Sequence, residues 1–507
     1  MNAQDIASVT GGRVVSGNPA RQLSGITYDS RKVESGFLFL ALRGQTTDGH
    51  SYIPQALDNG ASAVLLEDIS AIPSGSNAAF IQVANSRKAA AAAASAYYGL
   101  PACSLKILAI TGTNGKTSTS YLIQSILNET GTPTGVIGTL GARFGEKEWP
   151  LAHTTPEACD LQELLCLMRN DGAAAVALEA SSHALAQNRF DGVFPDCCVF
   201  TNLTQDHLDF HGTMEDYFQA KALLFTRFIE ESHKEAVSVV NLDDPWGKDR
   251  LAPLVKGRLL SYAIHQQADL KAVNLQPHPG GVKFEINYQA DKMPVSLSLG
   301  GYFSVYNALA AAGACLAMGV SLKDVSRGLE TVPSVPGRFE LVDCGQPFAV
   351  VVDYAHTPDG LENVLASARA VTKGRLVSVF GCGGDRDRAK RPLMGEIAAR
   401  LSNIAILTSD NPRSEDPEAI ARDILAGIPH NRRQFVATEL DRRKAILRAC
   451  SEALEGDTVV IAGKGHEPYQ IFRDKTIDFD DRVVVRQVLA GLVQKTEGGM
   501  AKLSPSP

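Results

Sequence analysis

The chain has 507 residues, of which 44% are hydrophobic and 21% charged, the composition of an ordinary globular protein with several domains of about 100–200 residues. Its formal net charge of −7 gives no electrostatic reason to bind nucleic acid or an anionic membrane. No long apolar run predicts a membrane span, and the N-terminus does not resemble a signal peptide, so we expect a cytoplasmic protein. The nine cysteines form no C-x-x-C pair, so we expect free thiols and no zinc site.

Residues 1–100 predict a small α/β domain. "GFLFLALRG" and "ASAVLLED" are typical of buried strands, and "YIPQALDNG" predicts a helix that ends near Gly60. "ANSRKAAAAAASAYYG" is an alanine-rich helix that ends at Gly99. Pro101 follows directly and marks a domain boundary.

A second domain is predicted over residues 101–335. "LKILAI" is a short apolar strand, and "TSTSYLIQSILNETG" has apolar residues at helical spacing. The apolar segments "AAVALEAS", "CCVFTNL" and "AVSVVNL" each end in a polar cluster, which is typical of a parallel sheet with its chemistry at the carboxyl edge. "LKAVNLQ", "GVKFEINY" and "MPVSLSLGG" alternate and predict antiparallel strands beside that sheet; the helix "VYNALAAAGACLAMG" follows.

Residues 336–493 predict a third domain. Its strands, in "FAVVVDYAHTPDG", "RLVSVFGCGGDRD", "NIAILTSDNPRSEDP" and "DTVVIAGKGHE", are each followed by a polar or glycine-rich loop. Residues 494–507 predict a disordered tail.

The segment "TGTNGKTS" lies between a predicted strand and a predicted helix, as a phosphate-binding loop does. It departs from the common pattern G-x-x-x-x-G-K-[ST], because Ile110 stands where the first glycine belongs. Gly112 and Gly115 still permit close approach of phosphates, Lys116 can reach the β/γ-phosphates, and the Thr117 hydroxyl can ligate Mg²⁺. The alternative is an ordinary turn with an exposed lysine.

Two further side chains could serve a metal ion. Glu179 ends a predicted strand, where a carboxylate for Mg²⁺ is expected. His207 follows another strand, although a lone histidine is more often a hydrogen-bonded residue than a ligand.

Motifs along most of the chain carry a family resemblance. "GTNGKTS", "LEASSH", "TNLTQDHLDFHG", "YFQAKALLF", "VVNLDDP", "GYFSVYNALAA", "VPGRFE" and "DYAHTPD" resemble, in order and separation, those of the ATP-dependent Mur ligases of bacterial peptidoglycan synthesis. The resemblance covers residues from about 20 to 490. It implies a cytoplasmic monomer with three α/β domains: an N-terminal UDP-binding domain, a central P-loop ATPase with a mostly parallel sheet, and a C-terminal Rossmann-like domain.

The resemblance also implies residue roles. Lys116, His207 and Lys221 would be catalytic, and Lys221 would be carbamylated (N6-carboxylysine) to help hold a second Mg²⁺; the simpler interpretation of Lys221 is a solvated helix lysine. The metal ligands would be Thr117, Glu179, His207 and Lys221. ATP would contact Gly112, Thr113, Asn114, Gly115, Lys116, Thr117, Ser118, Asn307, Arg338 and Asp353. Ser304 departs from the family pattern, which often has asparagine there.

The family's substrates follow from other motifs. "DNPR" resembles the signature of the branch that adds meso-diaminopimelate, because an arginine fork can pair with a distal carboxylate. The implied contacts are Arg386, Asp410, Asn411, Pro412, Arg413, Gly463 and Glu467. The implied acceptor is UDP-N-acetylmuramoyl-L-alanyl-D-glutamate, bound by Tyr28, Ser30, Gln45, Thr46, Thr47, His153, Thr154, Thr155, Ser181, Gln187 and Arg189. Ordinary loop hydrogen bonds are the alternative for the Ser and Thr residues.

The implied reaction is amide formation through an acyl phosphate, since a carboxylate is a poor acceptor for an amine until ATP has phosphorylated it. Domain closure with a hinge near 335–337 would bring the sites together. Two alternatives stay open at this point: folylpolyglutamate synthase, which shares the ATPase core, and a catalytically silent nucleotide-binding protein.

Overall fold

The computed structural model describes residues 1–44, 47–278 and 280–500, of which 493–500 are described by their backbone alone. Within these residues the strands form sheets of five, eleven and six strands in chain order, and a two-stranded ribbon. The expected three-domain α/β fold, with mostly parallel sheets, is confirmed. The predicted substrate contacts at Gln45 and Thr46 lie outside the described residues. None of the described helices is long and apolar enough to cross a membrane.

The N-terminal domain is a five-stranded sheet with strand order β1-β5-β4-β3-β2, parallel except where β1 meets β5. Its elements are α1 (Ala3–Thr10), β1 (Arg13–Ser16), β2 (Gly25–Thr27), β3 (Phe37–Leu40), α2 (Ile53–Asp58), β4 (Ala63–Leu66), β5 (Ala79–Gln82) and α3 (Ser86–Tyr97). Helix α3 begins where the Asn85 side chain accepts a hydrogen bond from the Lys88 amide, an N-cap that satisfies a free backbone donor. Its alanines pack against the sheet in one core.

The central domain holds the eleven-stranded sheet. Its elements are α4 (Pro101–Ser104), β6 (Lys106–Thr111), α5 (Lys116–Glu129), β7 (Thr134–Gly138), β8 (Gly141–Phe144), β9 (Lys147–Trp149), α6 (Ala158–Asn170), β10 (Ala175–Glu179), α7 (Ser182–Ala186), β11 (Cys197–Phe200), α8 (Leu208–His211), α9 (Met214–Ala222), α10 (Arg227–Glu231), β12 (Val237–Asn241), β13 (Arg258–Ala263), β14 (Leu270–His278), β15 (Gly281–Tyr288), β16 (Asp291–Leu297), α11 (Tyr302–Ala317) and α12 (Leu322–Glu330).

Strand β6 lies in the middle of this sheet, between parallel strands β10 and β11. The predicted antiparallel strands are β14 to β16, as expected. Three details differ from the sequence predictions: β6 continues through Thr111 rather than ending at Ile110, Pro101 opens the short helix α4, and the antiparallel hairpin of β8 and β9 was missed.

The C-terminal domain is a six-stranded sheet with order β17-β18-β22-β19-β20-β21, parallel except at β17. Its elements are β17 (Glu340–Leu341), β18 (Ala349–Asp353), α13 (Pro358–Val371), β19 (Leu376–Phe380), α14 (Lys390–Leu401), β20 (Ile404–Leu407), α15 (Pro417–Ala426), β21 (Val436–Thr438), α16 (Arg442–Glu452), β22 (Thr458–Ala462), β23 (Tyr469–Ile471), β24 (Thr476–Asp478) and α17 (Asp481–Met500).

Helix α17 carries the backbone in helical form to Met500, past residue 494, where the predicted tail begins. Residues 501–507 lie outside the described part of the chain.

Candidate active site

The loop between β6 and α5 has the geometry of a phosphate-binding loop. Gly112 has φ of +148° and Gly115 has φ of +88°, conformations that favour glycine. A Cβ atom at Gly112 would lie 1.8 Å from Thr201 Oγ1, and one at Gly115 would lie 2.2 Å from Asn307 Oδ1. Helix α5 then begins at Lys116 and directs its N-terminus, which attracts anions, at the loop.

A cavity of about 600 Å³ opens at this loop, between the central and C-terminal domains. Nine of the predicted ATP contacts line it: Thr113, Asn114, Gly115, Lys116, Thr117, Ser118, Asn307, Arg338 and Asp353. Gly112, the tenth, begins the same loop. Ser304, the departure from the family pattern, is buried and donates from Oγ to the Gly300 carbonyl at 2.6 Å, so its hydroxyl serves the start of α11.

The C-terminal domain contacts the loop directly. Arg338 donates from a terminal nitrogen to Thr117 Oγ1 at 3.1 Å, and Asn114 donates from Nδ2 to Asp359 Oδ2 at 2.8 Å. Asp353 accepts the Phe339 and Ala355 amides at 2.6 and 2.7 Å, so its carboxylate also fixes the chain where it enters the C-terminal domain. These contacts explain how residues more than 200 positions apart in sequence share one cavity.

Two lysines meet behind the loop. Lys116 Nζ donates to the Gly112 and Thr113 carbonyls, and Lys221 Nζ donates to the Gly112 carbonyl, all at 2.8 Å. Lys221 is 2% exposed, so the interpretation as a solvated helix lysine is wrong. Burial, and then the charge of Lys116, hold the pKa of Lys221 well below its usual value; burial also lowers the pKa of Lys116.

The two predicted metal ligands outside the loop and α9 are Glu179 and His207, and of these His207 lines the cavity. Glu179 is fully buried and accepts from the Thr139 amide at 3.0 Å and the Thr139 hydroxyl at 2.9 Å. Burial lowers the pKa of His207 to about 4, so its ring is neutral at neutral pH and keeps a free lone pair. In the described chain, no three His, Cys, Asp or Glu side chains gather as a metal site. The four predicted ligands include only two such residues. Thr117 and Glu179 offer the oxygen atoms that Mg²⁺ prefers, and Lys221 would add oxygen atoms as a carbamate, so this set fits Mg²⁺ only with that modification.

Next to Glu179, a second group of predicted residues comes together. Thr155 Oγ1 donates to the Glu179 carbonyl at 2.7 Å and accepts the Ser181 amide at 3.0 Å. Arg189 donates to Gln187 Oε1 at 2.8 Å and pairs with Glu157 at 3.0 Å. Thr154 and Ser181 also line the cavity at the phosphate-binding loop, so this group and the predicted ATP contacts border the same cavity.

The remaining described residues that are predicted to contact the UDP-muramoyl peptide lie further toward the N-terminal domain or on the surface. Tyr28 donates to Asp160 Oδ2 of α6 at 2.7 Å, and Ser30 is buried and donates to Gln55 at 2.8 Å. Thr47 and His153 are exposed.

In the C-terminal domain, the "DNPR" loop after β20 forms a polar cluster. Asn411 donates from Nδ2 to Glu467 at 2.9 Å, and the fully buried Lys464 donates to both, at 3.2 and 3.1 Å. Asp410 Oδ2 is buried and has no hydrogen-bond partner in the part of the chain that the structure describes. A Cβ at Gly463 would lie 2.5 Å from that oxygen, so the glycine leaves the space beside it free of a side chain.

Arg413 follows Pro412 with a φ of 51°, a left-handed conformation that costs a non-glycine residue about 1–3 kcal/mol. Its NH1 donates to the Gly384 carbonyl at 2.8 Å. Arg413 also borders a second cavity, of about 640 Å³, with Glu415, Phe472 and Lys475 on its other walls. Arg386, by contrast, is exposed on the neighbouring loop.

Family models match all three domains. The Mur ligase family catalytic domain matches residues 22–98, the Mur ligase middle domain 110–315, and the Mur ligase glutamate ligase domain 337–465. The chain belongs to the Mur ligase family. A relative from Syntrophomonas wolfei, named UDP-N-acetylmuramoyl-L-alanyl-D-glutamate--2,6-diaminopimelate ligase, is 47% identical over 475 residues, 94% of this chain and 96% of its own.

A relative of the same name from Clostridium botulinum is 45% identical over 472 residues, 92% of this chain and 95% of its own. A solved structure of a UDP-N-acetylmuramoyl-L-alanyl-D-glutamate--2,6-diaminopimelate ligase is 36% identical with a TM-score of 0.69, over 97% of this Mur ligase and 99% of that chain.

Sequence reasoning missed several residues of this Mur ligase site. Asp243, Tyr306 and Asp359 line the nucleotide cavity. Asp243 accepts three backbone amides and the Tyr306 hydroxyl. Its position directly after β12, in "VVNLDDP", was the available signal, and Asp359 is the last residue of the motif "DYAHTPD".

Proposed function

We propose that this Mur ligase adds meso-diaminopimelate to the D-glutamate of UDP-N-acetylmuramoyl-L-alanyl-D-glutamate, with ATP as the energy source, in peptidoglycan precursor synthesis. The observation that carries this proposal is the near full-length similarity to ligases of that printed name. The cavity at the phosphate-binding loop supports it, because residues predicted to bind ATP and two residues predicted to bind the muramoyl dipeptide, Thr154 and Ser181, line the same cavity.

The reaction needs an activated carboxylate. The γ-phosphoryl group of ATP passes to the substrate carboxylate, giving ADP and an acyl phosphate; the amine then attacks the acyl carbon and phosphate leaves. Two anions must approach each other in the first step, so positive charge at the phosphates is the main requirement. Lys116 and the N-terminus of α5 supply it, and Arg338 approaches the same loop from the C-terminal domain.

Thr117, Glu179, His207 and Lys221 would hold Mg²⁺, which when bound neutralises phosphate charge. For Lys221 to take part it must become an anion. Its depressed pKa favours the neutral amine, the form that reacts with CO₂ to give a carbamate. The neutral ring of His207 and the buried carboxylate of Glu179 suit the same role.

Substrate recognition divides between two places. Thr154, Thr155, Ser181 and Arg189 would hold the muramoyl dipeptide beside the loop, with the arginine recognising an anionic group. Tyr28, Ser30 and Thr47 would contact the uridine nucleotide from the N-terminal domain, as would Gln45 and Thr46.

At the other end, Arg413 and Arg386 would meet carboxylates of diaminopimelate. Asp410 has a buried Oδ2 without a hydrogen-bond partner among the described residues, and this oxygen would accept a hydrogen bond from an ammonium group. Asn411, Pro412, Gly463 and Glu467 would complete the site. A distal carboxylate is the feature that separates diaminopimelate from L-lysine, so Arg413 is the specificity residue.

The experiment is a phosphate-release assay with each substrate omitted in turn, over diaminopimelate, lysine, ornithine and glutamate. We expect release only with ATP, the UDP-muramoyl dipeptide and diaminopimelate together. Release with a folate and glutamate would favour folylpolyglutamate synthase instead. No release under any combination, with ATP bound, would favour the silent nucleotide-binding protein.

A further inference from the structure

Two loops of the C-terminal domain interlock next to Arg413. The first, residues 381–388, follows β19, and the second, residues 408–416, follows β20. The Gly384 amide donates to the Asn411 carbonyl at 2.9 Å, and a Cβ at Gly384 would lie 1.9 Å from the Pro412 carbonyl oxygen. Ser414 donates from its hydroxyl to Asp385 at 2.6 Å and from its amide at 3.1 Å.

Each loop contains a non-glycine residue in the left-handed region: Asp385 with φ of 53° and Arg413 with φ of 51°. Such conformations persist only where the surroundings fix them. Arg413 also donates to the Gly384 carbonyl of the first loop, at 2.8 Å. The direction of its guanidinium therefore depends on where the first loop lies.

A buried arginine fixes both loops through one carboxylate. Arg391, on α14, has a fully buried side chain and pairs with Glu415 through two nearly parallel bonds of 2.7 and 2.9 Å. The same Glu415 Oε1 accepts the Asp385 amide at 2.6 Å. Arg391 has a second carboxylate partner, Asp423 on α15, at 2.9 Å.

We propose that Glu415, held by Arg391, is a positioning residue for amino-acid recognition: it joins the two loops so that Arg413 meets the distal carboxylate of the incoming amino acid. This inference rests on the proposed function for the role of Arg413. Glu415 would act through Arg413, so its loss changes amino-acid affinity and leaves ATP binding and phosphoryl transfer in place.

The test compares two variants of the full-length enzyme. Glu415→Gln keeps the shape of the side chain but removes the charge that pairs with Arg391, while the direct bond of Arg391 to the Gly383 carbonyl of the first loop, at 3.4 Å, stays. Asp423→Asn is the matched control, because it removes the other carboxylate of the same arginine and contacts residues 381–388 only at the exposed side chain of Arg388, at 2.9 Å. Steady-state kinetics give KM for the amino acid, KM for ATP and kcat, and thermal unfolding of each variant reports its folding.

We expect Glu415→Gln to raise KM for diaminopimelate about 10-fold, the equivalent of about 1.4 kcal/mol, with KM for ATP and kcat within about 2-fold of the unaltered enzyme. Asp423→Asn should leave all three within about 2-fold. An unchanged amino-acid KM in Glu415→Gln, or an equal rise in the control, would overturn the proposal.

If Glu415→Gln does not fold, Ser414→Ala is tested in its place, because this variant removes only the hydrogen bond from the Ser414 hydroxyl to Asp385. A selective rise in the KM for the amino acid supports the proposal, and an unchanged KM overturns it. The unaltered enzyme is assayed with the whole amino-acid panel. If it uses another amino acid, the proposed function fails, and the KM comparison of the variants is made with that substrate and still decides the role of Glu415.

Discussion

Gly115 of the phosphate-binding loop should not tolerate a side chain. In Gly115→Ala the new methyl group would meet Asn307 Oδ1 at 2.2 Å, well inside contact distance, at a residue with φ of +88°. The left-handed conformation alone costs an alanine roughly 1–2 kcal/mol. Relieving the contact must also displace the loop or Asn307 by about 1 Å, and a misplacement of that size can lower catalysis about 100-fold.

Gly131 offers a matched control. It has φ of +76°, and a Cβ there would meet nothing within 4 Å. Gly131→Ala therefore carries a similar backbone strain at the end of α5, without a steric conflict at the nucleotide. Both variants should lose stability by similar amounts, while only Gly115→Ala loses kcat/KM for ATP.

The assay is phosphate release at varied ATP, with thermal unfolding measured in parallel. We expect kcat/KM for ATP to fall about 100-fold in Gly115→Ala and less than about 2-fold in Gly131→Ala. Equal kcat/KM values in the two variants would refute the contact between the loop and Asn307.

Four further predictions concern the other sites. Arg413→Ala should raise KM for diaminopimelate about 10–100-fold, the loss of a charge-assisted hydrogen bond, and leave KM for ATP nearly unchanged; equal effects on both would remove the specificity role. Lys221→Ala should lower activity at least about 100-fold, with partial recovery on adding short-chain carboxylic acids that replace the carbamate; full activity without them would contradict the assignment. Asp481→Asn should destabilise the protein by about 3–5 kcal/mol in denaturant unfolding, because it leaves the fully buried Arg442 without its carboxylate; an unchanged midpoint would count against that ion pair. Burial lowers the pKa of His466 in the folded protein to about 3, below the unfolded value of about 6.5. The unfolded state therefore binds the proton first, and the free energy of unfolding falls as the pH drops from about 6.5 toward 3. His466→Gln should flatten that decline when unfolding is measured against pH, and an unaltered profile would contradict the prediction.

Local patterns were sufficient for much of the fold. The apolar strands and the helix after "TGTNGK" follow from periodicity and from glycine, and the ends of β6 and α5 lie within a residue or two of the predicted ends. The β8–β9 hairpin escaped because "GARFGEKEW" is short and polar, so its pairing depends on the neighbouring strand β7 rather than on its own residues.

The candidate site, like the fold, was predictable where its residues lie in local motifs and unpredictable where contacts are long-range. The roles given to Lys116 and Arg413 came from motifs that are continuous in sequence. The contacts that position them are not local: Asp359 reaches Asn114, and Glu415 joins Arg391 to Asp385. The pairing of such ordinary polar and charged residues has no signature in a single sequence, because each meets its partner only after the domains and loops have packed.

The central claim is that this Mur ligase joins diaminopimelate to the UDP-muramoyl dipeptide. The most direct measurement is mass spectrometry of the product formed from ATP, UDP-N-acetylmuramoyl-L-alanyl-D-glutamate and an equal mixture of meso-diaminopimelate and L-lysine. We predict a UDP-muramoyl tripeptide that contains diaminopimelate, with one ADP formed for each amide bond. A product that contains mainly lysine, or ADP formed without any new amide, would contradict the account.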